Sequence, residues 1–271
     1  MATLLVLTDF TPAADQALRY ATVLAASLEA RLLLLHVEPT GLLNPNAFTG
    51  KNPERSEPEI QALLDQRCAR AERSGVGCGS EMTSGSIAEA VATAVRRHSA
   101  LLAIAGKPNT EETPDELVES AALSLLRDAP CPVLIVPQAY AHAQVPARVL
   151  VAADHEAVTF GGSAAAANTL LRHWQPAVTV THVSTSAPDA TTAPDLAFPQ
   201  LLLGGVTSVQ LRHDTHPEVE QGILAARAAV HADWVVLIAR HHSRLSLMFN
   251  NSVTARVIFH SSVPVLVVSE A

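Results

Sequence analysis

Residues 129–137 read Ala-Pro-Cys-Pro-Val-Leu-Ile-Val-Pro, and the phrase returns near the end of the chain as Ser262-Val263-Pro264-Val265-Leu266-Val267-Val268. A short, unbroken run of aliphatic residues bounded by proline reads as a strand covered on both faces. Working outward from each copy, three further segments recur in the same order. Leu4 to Leu7 with Thr8-Asp9-Phe10-Thr11-Pro12 is echoed by Val149 to Asp154, Leu32 to Val37 by Val178 to Val183, and Leu101 to Gly106 by Trp234 to Arg240. Asp9 and Asp154 are 145 residues apart, His36 and His182 146, His98 and His231 133, and Pro132 and Pro264 132. The falling offset predicts that the second copy has lost a stretch in its middle.

Between the strands lie segments with helical periodicity, such as Ala14, Leu18, Ala21, Leu24 and Leu28, or Ile87, Val91 and Val95. Strand alternating with helix predicts a doubly wound α/β unit with a five-stranded parallel sheet in each copy. The expected domains are 1–138 and 147–271, joined by a linker at 139–146. Thr11 before Pro12, and Thr113 before Pro114 with Asp115 and Glu116, read as helix starts. A polar loop over 40–58 precedes an expected helix over 59–74. Its counterpart over 184–199 leaves room only for a short helix near Gln200.

Composition narrows the function classes. The chain has 271 residues, which suits two domains. No apolar run approaches the ~20 residues of a spanning helix, and Met1-Ala2-Thr3-Leu4 runs straight into a strand without the features of a secretory signal. A cytoplasmic location is the expectation. The net charge of −8, with Lys51 and Lys107 as the two lysines, offers no basic stripe for nucleic acid. Cys68, Cys78 and Cys131 form an odd set without CxxC spacing, so we expect buried or inert thiols and neither a disulfide framework nor a cysteine zinc site. Trp174 and Trp234 are expected in the core or at a subunit contact.

In open parallel sheets a ligand sits beyond the carboxyl ends of the strands. In the first copy those ends carry Asp9, His36-Val37 and Gly106-Lys107-Pro108-Asn109. Asp9 can accept hydrogen bonds from a base or sugar, and Gly106 would let a ribose or phosphate approach the backbone. In the second copy histidine gathers at the same places. Ten of the twelve histidines follow residue 141, with His155 after strand 1, His182 ending strand 2, His213 and His216 after strand 3, and His241-His242 after strand 4. Such a rim with Asp154 or Asp214 could ligate a metal or hold an anion. Its spacing is not a defined ligand pattern, so zinc is not expected and solvated polar residues are the default. Arg240, Arg244 and Arg256 are expected on the solvated surface near that rim, and His98 and His231 as equivalent helix C-terminal caps. No Ser-His-Asp order or carboxylate pair argues for catalysis.

The TDFTPAADQAL opening, the His-Val ending of strand 2 in both copies and the APCPVLIVP phrase with its echo resemble the universal stress protein family in its tandem two-domain form. The resemblance implies the adenine nucleotide alpha hydrolase-like fold, strand order 3-2-1-4-5, with the closing strands of the two copies pairing as an internal pseudo-dimer. It implies a non-catalytic stress-response or regulatory module. It also implies an adenine site made by the aspartate after strand 1 and the backbone ending strand 2, with ribose and phosphates on a G-x2-G-x9-G-[S/T] loop. The positions carried over are Asp9, Thr11, Val37, Gly106, Asn109 and Ser120. Asn109 and Glu119 stand where that loop has glycine, and Ala239 and His242 replace glycines in the second copy. Two alternatives stay open: an ATP- or AMP-binding sensor using the first domain, and a metal-dependent or weak nucleotide hydrolase using the histidines of the second. Homo-oligomers and an unspecified protein partner are also left open.

Overall fold

The computed structural model describes residues 1–38, 55–109, 129–153, 161–185, 200–239 and 253–270. In the first half, β1 (Thr3–Leu7), α1 (Pro12–Ser27), β2 (Arg31–Glu38), α2 (Glu57–Glu72), β3 (Cys78–Ser84), α3 (Ile87–His98), β4 (Ala100–Lys107) and β5 (Val133–Pro137) follow in order. The second half has β6 (Arg148–Ala152), α4 (Gly162–Trp174), β7 (Ala177–Ser184), α5 (Gln200–Leu203), β8 (Val209–Thr215), α6 (Val219–Val230), β9 (Trp234–Ala239), α7 (Val253–His260) and β10 (Val265–Ser269).

The strands form one ten-stranded sheet in the order β3-β2-β1-β4-β5-β10-β9-β6-β7-β8. Each half therefore has the expected order 3-2-1-4-5. Neighbours within a half are parallel, as helical crossovers require. The halves meet where β10 pairs antiparallel with β5, Val265 opposite Ile135 and Val267 opposite Val133. That seam explains why the quoted phrase is apolar throughout: all five residues of β5 are buried, with a strand on each side and α1 packed against it. It also leaves β3 and β8 as the sheet's edges.

Local sequence sets the helix ends. The Thr11 side chain accepts the Ala14 amide at the start of α1, with proline in the first turn. Helix α2 starts two residues earlier than expected, because Ser56 and Glu59 form a reciprocal capping box that satisfies two amides. Helix α5 is four residues long where α2 has sixteen, which accounts for the shrinking offset. On one face of β3, Ser80 meets Gln61 of α2; on the other, Glu81 meets Arg97 and His98 of α3.

Three readings are corrected. Cys68 and Cys78 are not inert thiols: they are bonded as a disulfide between the end of α2 and the start of β3, Cα atoms 5.1 Å apart. Proximity across a helix-to-strand turn, which spacing alone does not reveal, brings them together. Cys131 is a buried free thiol, its pKa pushed up by burial to about 12. His98 and His231 are not equivalent. In sheet register Leu102 and Trp234 both face the first strand of their half, beside Leu4 and Val149, so Ser99 is the partner of His231. Both adopt the left-handed C-cap, at φ 49° and 51°, while His98 instead contacts Glu81 at 2.6 Å. Lys107 is not in a ligand loop. It lies within β4 opposite Pro137, is 7% exposed, and donates across the seam to the carbonyls of Phe259 and Ser261.

Candidate functional site

At the carboxyl end of β1 the chain turns through Asp9 and Phe10. Asp9 is exposed, and its Oδ1 accepts both the Thr11 amide (3.0 Å) and the Thr11 hydroxyl (2.6 Å). This is an Asx-type turn feeding directly into the cap of α1. Phe10 is held at φ 68°, rare for a side chain of its size, and its amide donates to Thr8 Oγ1. Its ring lies 4.6 Å from the His36 imidazole, with the guanidiniums of Arg67 and Arg55 at 4.9 and 5.3 Å. His36 Nδ1 is 2.8 Å from the Thr8 carbonyl, which ties the end of β2 to the end of β1. Arg67 reaches from α2 to Asp15 at 2.7 Å and donates to the Phe10 carbonyl.

The first-half candidates thus stand at separate places. Asp9 and Thr11 are bonded to each other. Val37 stands half-buried near the end of β2, opposite Thr83. Asn109 lies just beyond β4 and is half-buried, while Ser120 lies outside the described residues. Gly106 is the instructive case. A Cβ there would sit 2.2 Å from the Ala13 carbonyl oxygen and 2.8 Å from the Ala14 amide. The missing side chain lets α1 lie directly on β4. Phe10, Arg55 and Arg67 escaped the sequence reading. Arg67 and Asp15 are 52 positions apart, and nothing local couples them.

In the second half His182 Nδ1 lies 3.1 Å from the Ala153 carbonyl, repeating the His36–Thr8 contact. His182 and His213 stand with ring centroids 5.3 Å apart, and His213 Nε2 is 3.0 Å from Ser184 Oγ. His216 turns away and accepts the Glu218 amide. Asp214 points to the opposite face of β8, bonded to Thr181 and Arg212. Burial pushes its carboxyl up, but those hydrogen bonds and the charges of Arg212 and His213 outweigh it and hold the pKa below the ordinary value. His155, His241 and His242, with Arg240 and Arg244, lie outside the described residues. Among the described residues no group of three or more metal-ligating side chains assembles. Arg256, expected on the solvated surface, lies 2.6 Å from Glu220, which is 1% exposed and also binds His260. It secures α7 to α6.

A cleft of about 510 Å³ lies between β3 and α3, lined by Glu81, Thr83, Glu89, Thr93 and Arg97. Among the described residues no helix is long and apolar enough to cross a membrane.

Two doubly wound units sharing one sheet through their last strands, each with polar residues beyond the carboxyl ends of its strands, define a tandem α/β protein. The model of the universal stress protein family matches residues 1–137 and 147–269, and the chain belongs to that family. Among solved structures it is similar to a universal stress protein from Archaeoglobus fulgidus, at 20% identity over 98% of both chains with a TM-score of 0.73. A putative universal stress protein from Pseudomonas aeruginosa is also similar, at 16% identity over 100% of this chain and 94% of the other, TM-score 0.64. Among curated protein sequences none matches the chain.

Proposed function

We propose that this tandem universal stress protein acts as a non-catalytic stress-response or regulatory module of the cytoplasm, in which the nucleotide-binding loops have degenerated. One observation carries the reading: at Gly106 the space beside the backbone is taken by Ala13 and Ala14. Lys107, the next residue, is committed to the seam and cannot serve a phosphate at the rim. In the second half three of the described histidines are bonded to the chain itself, His182 to Ala153, His213 to Ser184 and His216 to Glu218.

A second reading is supported by the exposed carboxylate of Asp9 beside the ends of β1 and β2: the first half binds ATP or AMP as a sensor. Thermal unfolding with ATP and magnesium, or with AMP, separates the two. A ligand at a hundredfold excess over its Kd stabilises by about 2.7 kcal/mol, so a clear rise in Tm, lost in Asp9→Ala, would establish the sensor. An unchanged Tm at millimolar nucleotide supports the module.

A further inference from the structure

Cys68 lies in the last turns of α2, 8% exposed. Cys78 opens the edge strand β3 and is partly exposed, between the exposed glycines Gly77 and Gly79. The two are bonded across a separation of ten residues, so the link closes a small loop and fastens the end of α2 to the edge of the sheet. Arg67 is the neighbour of Cys68. Its guanidinium grips Asp15 and the Phe10 carbonyl, holding α2 onto the turn that follows β1. The link and the clamp therefore secure the same helix at adjacent residues, one to β3 and one to the rim. The second half has no cysteine to form such a link. Val209 occupies the place of Cys78, each opposite the second strand of its half, and the helix that would carry a partner is reduced to α5.

We propose that Cys68 and Cys78 form a reversible thiol–disulfide modification site, closed by low-molecular-weight disulfides, whose state sets how firmly α2 and the Arg67 clamp hold the rim of the first half. The chemistry balances as two exchanges. The Cys78 thiol, the one reached from solvent, loses its proton and attacks a small disulfide RS–SR, giving a mixed disulfide at Cys78 and releasing RS⁻. The Cys68 thiol then loses its proton and attacks the Cys78 sulfur, forming the Cys68–Cys78 bond and releasing the second RS⁻. Two protein thiols are oxidised, one RS–SR is reduced to two RSH, and the two protons are taken up by the leaving thiolates. Reduction is the reverse. Cys131, 3% exposed with a thiol held protonated by burial, takes no part.

The test uses the full chain and no nucleotide, so its outcome is independent of the functional reading above. The protein is equilibrated over a series of ratios of reduced to oxidised glutathione, quenched in acid, unfolded, alkylated and weighed. The expected result is a two-state exchange between three alkylated cysteines and one, with Cys78→Ser and, separately, Cys68→Ala failing to show it. Hydrogen exchange of the peptides covering α2 should quicken on reduction by roughly tenfold to a hundredfold, the effect of releasing a loop of this size, while α6 is unchanged. Retention of three alkylatable cysteines at every ratio overturns the proposal, as does a disulfide that forms but leaves α2 exchange unaltered.

Discussion

The indole Nε1 of Trp234 donates to the hydroxyl of Tyr20 across 2.7 Å, joining the first strand residue of β9 in one half to α1 of the other. Both residues are essentially sealed from solvent, at 0% and 1% exposed. The Tyr20 ring meets Tyr140 of the linker edge-on, and Trp234 meets Trp174 in the same way, centroids 5.2 and 5.5 Å apart. Trp174 in turn donates to Ser27 Oγ at the end of α1. This aromatic cluster flanks the β5–β10 seam and covers the region where the two halves meet.

Because the Trp234 N–H has no water to fall back on, Tyr20→Phe should cost about 1–3 kcal/mol, the penalty of an unpaired buried donor. Trp234→Ala should cost about 3–5 kcal/mol. Urea unfolding monitored by circular dichroism checks both. A Tyr20→Phe change within about 0.5 kcal/mol of the parent would deny the bond any energetic role.

Lys107 makes stability depend on pH in the alkaline range. Burial pushes its pKa down to about 8 from the ordinary 10.5, so between those values the unfolded chain holds a proton that the folded chain has shed. Unfolding then takes up protons, and stability rises with pH through that window by at most about 1.4 kcal/mol per unit. Relative to Lys107→Met, the parent should gain stability between about pH 8 and pH 10. Parallel denaturation midpoints for the two proteins over that range would refute this.

Gly106→Ala should destabilise by at least about 1–3 kcal/mol, since the atoms it meets are backbone and cannot rotate away. Gly79→Ala is the control, for its nearest neighbour is a Leu33 methyl at 3.9 Å. Both losses are measured without nucleotide. Equal stability of the two variants would return Gly106 to the role of a ligand-facing glycine.

Two arginine pairs of similar appearance should differ in energy. Arg97 meets Glu81 with side-chain exposures of 62% and 27%, and Arg97→Ala should cost about 0–1 kcal/mol. Arg256 neutralises Glu220, which is 1% exposed, and Arg256→Ala should cost about 3–5 kcal/mol because a carboxylate is left buried with less compensation. Thermal unfolding of the two variants side by side decides it, and equal losses would overturn the distinction.

The architecture was legible because it was written twice. Continuous apolar strands, helical periods and proline-bounded turns are local signals, and their recurrence in one order left little freedom in topology. The shortened helix of the second half was legible too, from the falling offset and the segment 184–199. The candidate site was legible only in outline. Asp9, Thr11, Val37 and Asn109 do stand beyond or near the carboxyl ends of strands, but whether a residue faces a ligand or its own chain depends on contacts between distant segments. Gly106 meets Ala13, Lys107 reaches Phe259, and Arg67 grips Asp15. The disulfide was missed for the same reason, since an odd cysteine count says nothing about which two side chains a helix-to-strand turn brings within bonding distance.

Periodicity and duplication, which rest on backbone hydrogen bonding and on burial of alternating faces, were enough by themselves to determine two doubly wound units, while the strand by which they join came from the family resemblance. Tertiary structure alone decided the rest. It set Gly106 against the backbone of α1, Lys107 across the seam, and Cys68 with Cys78 as a bonded pair. The physical reason is that a side chain's partners are chosen by close packing between segments far apart in the chain, where a displacement of an ångström separates an open site from a filled one.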